Sequence, residues 1–419
     1  MASLTSKIRK LCGKFRLHYL YFVQEYKHAA KVRQLKRKNT INVGFYVIYP
    51  SIWKYDRLYQ LLSRTDRFNP VIVVCPAVHM GHEHMMQNLD ASCRMFVEKG
   101  YNVVCSYDKE KGKFLDVKKQ LKLDIVFYTN PYNGLIHDKY YITNSSDILT
   151  CYVPYNYGNS SDYQMFSNLP LHNLVWRLYL ETDAHKEYSR LYARNHGSNV
   201  VVTGYPGIDP LVEGKVSSNP WKPSEMDVKK IIWAPHHTVK PAGKVFYSCF
   251  MQYAEFMLEM AQKYSDKIQI AFKPHPLLRV KLNDIWGQEK TDDYFRRWEE
   301  LPNCLYTEGD YTDLFLTSDA MIHDSGSFLI EYLYTGKPIM RTNNGQDLNE
   351  LLNPFALDCL GVSYQADNTD DVEQFILNVI DQKDEMHQVR TKFMKERLMP
   401  PYGKTASQNI FDDLLNSLS

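Results

Sequence analysis

Two successive series of short apolar runs, each run followed by a helical stretch, constrain this 419-residue chain more than any other feature. The first series falls at residues 41–49, 71–75, 103–106, 125–128 and 148–153, where runs rich in Val and Ile are bounded by turn residues. Helix-length segments at 55–63 and 83–99 separate them. Strands buried on both faces read as continuous apolar runs, and parallel pairing needs a long crossover between one strand and the next. A second series begins at 199–203 and continues at 230–234, 268–272, 304–306, 320–323 and 338–340, with helices expected over 246–263 and 372–381. The pattern predicts two doubly wound α/β domains with a cleft between them, at residues 41–198 and 199–419, behind a separate segment at 1–40. The polar stretch 212–227, with Pro220 and Pro223, reads as a linker or long loop near the hinge.

The leading segment is set apart by charge. Residues 1–40 hold eleven Lys and Arg against one acid, Glu25, so the remaining chain is net acidic although the whole carries +2. Leu11, Phe15, Leu17, Tyr19, Leu20, Tyr21, Phe22 and Val23 lie among these cations. A basic helix with an aromatic and aliphatic side suits an anionic membrane surface, through residues 1–38. A nucleic-acid partner is not expected, because no RNA- or DNA-binding signature follows. No run of eighteen apolar residues and no signal peptide is visible, so a cytoplasmic protein peripheral to the membrane is expected. The eight cysteines form no Cys-x-x-Cys, which argues for reduced core thiols and against structural zinc.

Ligands of open α/β sheets bind beyond the carboxyl ends of the strands. Three strand ends of the second series carry chemistry there. The run 230–234 leads into Pro235-His236-His237-Thr238, and 268–272 leads into Lys273-Pro274-His275-Pro276. The run 320–322 leads into His323-Asp324-Ser325-Gly326-Ser327, with Glu331 four residues beyond Ser327. Singly, a histidine after a strand is most often a hydrogen-bonded loop residue. Together, a lysine held between prolines, imidazoles, small hydroxyls and free backbone N–H groups suit a pyrophosphate. No carboxylate pair of metal-ligand spacing is evident, so neither a metal nor another cofactor is expected.

These segments resemble a known family. Val202-Thr203-Gly204-Tyr205-Pro206-Gly207-Ile208-Asp209, Trp233-Ala234-Pro235, Lys273-Pro274-His275-Pro276 and Asp324-Ser325-Gly326-Ser327 with Glu331 are similar, in order and spacing, to the C-terminal half of the CDP-glycerol glycerophosphotransferases. The tail Tyr402-Gly403-Lys404-Thr405-Ala406-Ser407 resembles that family's closing segment, and the likeness covers about residues 199–415. It implies the GT-B architecture, with an acceptor domain followed by a nucleotide-donor domain. It also implies a peripheral enzyme at the inner face of a bacterial membrane, acting in teichoic acid or capsule assembly. A CDP-glycerol-like donor would give its polyol phosphate to a lipid-linked or polymer acceptor. By the same resemblance His275 would contact the donor phosphates and assist nucleotide departure. Lys273, Gly204, Asp324, Ser325, Gly326 and Ser327 would belong to the donor site, and Glu331 would take a ribose or glycerol hydroxyl.

The chain departs from the pattern in its first half. The family's Trp-His-Gly segment, whose histidine activates the acceptor, corresponds to Tyr155-Asn156-Tyr157-Gly158, where the histidine is missing. Tyr155 and Tyr157 are therefore acceptor-side candidates; because an ordinary phenol is a poor base at neutral pH, either His236 or His237 replaces the absent base or the acceptor and the reaction differ. Asp-Ser-Gly with a later Glu and Gly336-Lys337-Pro338 also resembles the UDP-N-acetylglucosamine 2-epimerases. A UDP-sugar-using GT-B enzyme, or a non-catalytic nucleotide-binding relative, is the alternative.

Overall fold

A computed structural model describes residues 2–130, 132–240 and 246–419, and side chains from residue 13 onward; the side chains of Leu11 and Cys12 in the basic head lie outside that set. The chain divides into two compact units. Unit 1 comprises Met1–Gly158, Tyr163–Asp209 and Pro400–Ser419, and unit 2 comprises Asn159–Asp162 and Pro210–Met399.

Unit 1 is built on strands β1 (Ile41–Val47), β2 (Phe68–Val74), β3 (Val103–Cys105), β6 (Ile125–Tyr128), β7 (Leu149–Tyr152), β8 (Arg177–Leu180) and β9 (Val200–Val202). They pair in the order β3-β2-β1-β6-β7-β8-β9, all parallel. A small antiparallel ribbon, β4 (Tyr107–Asp108) with β5 (Lys113–Phe114), follows β3. Ile41, Val43, Phe45 and Val47 on β1 and all four residues of β6 and β7 are buried, as apolar runs covered on both faces must be.

Unit 2 is built on β10 (Lys229–Ala234), β11 (Ile268–Phe272), β12 (Cys304–Tyr306), β13 (Ala320–His323), β14 (Ile339–Thr342) and β15 (Tyr364–Ala366). Their order, β12-β11-β10-β13-β14-β15, is the 3-2-1-4-5-6 arrangement of a dinucleotide-binding sheet. Trp233 of β10 stacks with Phe250, Phe272 and Trp298 at 5.7, 5.1 and 5.4 Å between ring centroids. Such pairs contribute about 0.5–1.5 kcal/mol each beyond area burial, so the ends of β10 and β11 rest on a stiff aromatic core.

The boundary differs from the one the sequence suggests. Residues 199–203 were expected to open the second domain, yet β9 pairs with β8, Leu178 opposite Val200, and closes the first sheet. Residues 400–419, expected in the second domain, end in the helix Ala406–Leu418 on unit 1. The Asp209 carboxylate accepts the N–H groups of Ala406 and Ser407 at 2.8 and 3.0 Å, and Asn409 Nδ2 donates to Thr203 O. The segments Thr203–Asp209 and Lys404–Ser407 are thus each other's partners. The stretch expected as a linker packs on unit 2, where Trp221 is buried and its Nε1–H reaches Thr317 Oγ1 at 2.9 Å.

The basic head is a helix, Ala2–Leu35, about 50 Å long at 1.5 Å per residue. Leu20 and Leu35 are buried in unit 1. Many of its cations are spent on that unit. Arg16 donates to Thr143 O and Asn144 Oδ1, Lys31 and Lys38 pair with Asp124, and Lys36 reaches Ser419 O. Among the described residues no helix is long and apolar enough to cross a membrane.

Candidate functional site

In unit 2 the strand order reverses between β10 and β13, leaving a crevice beyond their carboxyl ends. Four strand ends meet around that point. Parallel pairing continues past β10 and β11: Lys273 N–H donates to Trp233 O at 2.8 Å and His275 N–H to Pro235 O at 3.0 Å. The loop with two prolines is therefore stitched to its neighbour. His275 lies against His237 and His236 with ring centroids 4.1 and 5.2 Å apart, and His236 and His237 are 4.2 Å apart.

The hydrogen bonds fix what these rings can offer. Leu277 N–H donates to His275 Nδ1 at 3.1 Å, and His236 Nδ1 lies 2.9 Å from Thr238 Oγ1. The Thr238 backbone N–H also donates to His236 Nδ1, at 3.4 Å, so that nitrogen accepts. A neutral imidazole that accepts at Nδ1 carries its proton at Nε2. His323, the last residue of β13, repeats the arrangement, its Nδ1 accepting Ser325 N–H at 3.1 Å and its buried Nε2 unpartnered. Burial lowers His236 to about 3, with His237, His275 and Arg341 adding repulsion. Burial lowers His275 to about 4, helped by His237 and Lys273, and lowers His323 to about 3, helped by Arg341. At neutral pH these rings are uncharged N–H donors. His237 is also lowered, by burial and then by Lys281, and its Nδ1 has no partner.

The ligand atoms of His236, His237 and His275 lie within 4.8 Å of one another, the one such cluster among the described residues. Three imidazoles could hold a zinc-like ion. With Nδ1 of His236 and His275 already accepting, however, these two rings present protons rather than lone pairs, an arrangement suited to an oxyanion.

Two cations complete the site. Lys273 is buried with Nζ 3.0 Å from Gly309 O, and burial lowers it while Glu308 and Asp310 pull it back. Arg341, on β14 opposite His323, is buried, bonds Asn343 Oδ1 at 2.7 Å through Nη1 and leaves Nη2 unpartnered. Sequence reading missed Arg341, because a single arginine inside an apolar strand gives no sign of which sheet face it occupies.

Asp324 has a different place from the donor contact expected for it. One carboxylate oxygen accepts His236 N–H and the other accepts Cys249 N–H at 2.7 Å. It braces two loops, and burial raises it to about 6 against those hydrogen bonds. Ser325 stands at the N-terminal boundary of the short helix Gly326–Glu331 without a capping side-chain hydrogen bond, and Ser325 and Ser327 are half-buried. A Cβ on Gly326 would lie 2.9 Å from Asn159 Nδ2, so glycine is required there by close approach. Glu331 is 4% exposed, takes a hydrogen bond from the Tyr311 hydroxyl, and is raised to about 7 by burial.

The remaining candidates lie in unit 1. Gly204 has φ +88°, and an added Cβ would lie 2.8 Å from Pro400 Cβ and Cγ. It is a packing glycine of unit 1. Tyr157 is fully buried against Tyr205, whereas Tyr155 is 38% exposed. The first sheet also reverses order between β1 and β6. Beyond that edge, sequence reading missed Lys54, whose buried Nζ is unpartnered and is lowered to about 7 by burial against the pull of Glu181.

Residues 175–416 match the family described as CDP-glycerol:poly(glycerophosphate) glycerophosphotransferase. No curated protein sequence matches the chain. Among solved structures, a UDP-N-acetylglucosamine 2-epimerase from Listeria monocytogenes is similar at TM-score 0.57 and 16% identity, over 90% of this chain and 96% of that one. The Neisseria meningitidis UDP-GlcNAc 2-epimerase bound to UDP-GlcNAc aligns at 0.55 and 16%, over 90% and 100%. The Methanocaldococcus jannaschii enzyme with UDP-GlcNAc and UDP aligns at 0.51 and 14%, over 90% and 99%. At such identities the likeness establishes the fold, which is GT-B with two Rossmann-like doubly wound units.

Proposed function

The chain belongs to the CDP-glycerol:poly(glycerophosphate) glycerophosphotransferase family, and from that premise we propose that it moves a polyol phosphate from a CDP-activated donor to a hydroxyl of a membrane-linked surface-polymer precursor. The observation that carries this reading is the convergence, at the order reversal of the second sheet, of uncharged imidazole N–H donors with Lys273 and Arg341. Fixed donors and cations of this kind stabilise the charge that builds on a transferring phosphoryl group and on its leaving phosphate. The acceptor oxygen attacks the β-phosphorus, the bond to the bridging oxygen breaks, and CMP departs. Lys273, His275 and the backbone N–H groups of Gly326 and Ser327 hold the pyrophosphate, with Glu331 on a donor hydroxyl. His237, whose Nδ1 is unpartnered, takes the acceptor proton.

The membrane partner is supported by an aromatic stripe on the first helix. Phe15, Tyr19, Phe22 and Tyr26 are 69, 60, 79 and 76% exposed, and their 4-3-4 spacing puts them on one face, away from buried Leu20 and Leu35. That face suits the interface of a bilayer at the inner side of the cell membrane. Calorimetry with CDP-glycerol, CMP and UDP-GlcNAc tests the donor. Binding of the two cytidine ligands, weakened in Lys273→Ala, supports the reading. Binding of UDP-GlcNAc alone would replace it with the epimerase-like alternative.

A further inference from the structure

The first sheet reverses order between β1 and β6, so unit 1 has a strand-end crevice of its own, and two buried polar atoms stand there without partners. One is Lys54 Nζ. The turn Pro50–Ile52 carries the chain off β1, and the Tyr55 hydroxyl then donates to Tyr128 O, at the end of β6, at 2.7 Å. Lys54 Nζ lies 4.9 Å from the centroid of that same Tyr55 ring, so the amine is held over the junction of β1 and β6. The other is Asn130 Oδ1, two residues beyond β6, where Thr129 Oγ1 ties the chain to Tyr46 O of β1 at 3.0 Å. Tyr132 follows, its hydroxyl 3.1 Å from that of Tyr152 at the end of β7 and its ring 6.2 Å from Tyr155. The segment in which the acceptor-activating histidine is missing thus borders this crevice.

A buried amine that makes no hydrogen bond is unfavourable, and a leucine or methionine would fill the same space without that cost. Packing therefore does not account for Lys54. Glu181, the buried carboxylate that attracts it, is engaged elsewhere: one oxygen accepts Gly158 N–H at 3.2 Å and the other lies 3.9 Å from His185 Nδ1. We propose that Lys54 and Asn130 form an anion subsite, built from unit 1 residues alone, that takes a phosphodiester together with the hydroxyl next to it. Lys54 supplies a cation to a phosphate oxygen, and Asn130 Oδ1 accepts from the neighbouring hydroxyl. Resting on the transfer reading, the occupant is the phosphate nearest the growing end of a polyol phosphate acceptor, with its terminal hydroxyl presented for extension. Burial lowers the Lys54 amine to about 7 against the pull of Glu181, so an anion that binds there draws a proton back onto it. The face of the Tyr55 ring favours the same charged form.

The probe is glycerophosphoglycerol, a phosphodiester flanked by two glycerols, titrated into the full-length protein by calorimetry at pH 8 in buffers of different ionisation heat. Wild type should bind it with uptake of about one proton, because an amine lowered to about 7 is mostly neutral in the free protein at that pH. Lys54→Met keeps the apolar stem and removes a buried amine, so it should fold at least as well. It should bind the probe about ten- to a hundredfold more weakly and take up no proton. Asn130→Asp, which sets a negative charge beside the phosphate, should weaken binding too, and both variants should keep wild-type affinity for CDP-glycerol. No binding by wild type, equal affinity in Lys54→Met, or the same proton uptake without the amine overturns the proposal. Loss of CDP-glycerol affinity in Lys54→Met also overturns it, by placing the amine at the donor. Weaker co-sedimentation of Lys54→Met with phosphatidylglycerol vesicles would do so as well, since the phosphodiester would then be a lipid headgroup. A wild type that binds the phosphodiester but neither CDP-glycerol nor CMP refutes the transfer reading and keeps the anion subsite.

Discussion

Replacing Glu331 by glutamine should make the protein more stable and a worse donor binder at once. The carboxyl is 4% exposed, and burial raises it to about 7 although the Tyr311 hydroxyl donates to one of its oxygens. In the unfolded chain a glutamate titrates near 4.3, so between roughly pH 4.3 and 7 the unfolded state sheds a proton that the folded state keeps. The raised group thus contributes stability that is fully present below the unfolded value and is lost as pH rises through about 7. The rise from about 4.3 to about 7 corresponds to about 3.5 kcal/mol, the size of the penalty by pH 8. Glutamine accepts the Tyr311 hydrogen bond without charge and avoids that penalty. Urea denaturation at pH 5 and pH 8 should show Glu331→Gln gaining roughly 2–3 kcal/mol at pH 8 and little at pH 5. Donor affinity should fall about ten- to a hundredfold, with the maximal rate largely kept, because a charge-assisted hydrogen bond to a remote hydroxyl is felt equally in ground and transition states. An equal effect on stability at the two pH values would refute the buried-carboxylate reasoning. Abolished turnover at unchanged donor affinity would move Glu331 from the donor to the reacting centre.

Three further outcomes follow from named contacts. His275→Ala should lower the maximal rate by about two to three orders of magnitude, as loss of an oxyanion donor does, and His275→Asn, which keeps an N–H, should recover part of it in steady-state kinetics. Phe15→Ser with Phe22→Ser should weaken co-sedimentation with anionic vesicles while circular dichroism stays unchanged, and unaltered binding would remove the aromatic stripe from the membrane reading. Gly204→Ala should destabilise unit 1 by more than 1 kcal/mol, from positive φ and the approach of Pro400, while donor affinity measured on folded protein holds.

The architecture was readable because both sheets are parallel and doubly covered, so their strands stand out as apolar runs. Residues 125–128, 268–272, 304–306 and 320–323 coincide with β6, β11, β12 and β13. What an apolar run cannot carry is its sheet. The segment at 199–203 looked like the start of a second series, yet it pairs with β8, a strand of only four residues that opens on Arg177 and gave no signal. The site was legible where chemistry follows a strand directly, as at His236, His237, Lys273 and His275. It was not legible where the role depends on a partner far along the chain. Asp324 looks like a ligand until His236 and Cys249 fill its oxygens, Gly204 looks like a binding glycine until Pro400 lies against it, and Arg341 looks like one more strand residue. The charge of the head was plain from composition, but its use was not, since Arg16, Lys31, Lys36 and Lys38 hold the helix to unit 1.

The transfer itself is tested most directly by incubating the full-length protein with CDP-glycerol, CDP-ribitol and UDP-GlcNAc, each with and without a lipid-linked acceptor bearing a free hydroxyl, and following nucleotide release and product. CMP should be released from a CDP-polyol only when acceptor is present, with the polyol phosphate recovered on the acceptor and the release lost in His275→Ala. Acceptor-independent conversion of UDP-GlcNAc, or nucleotide binding without turnover across the whole panel, would contradict the transfer.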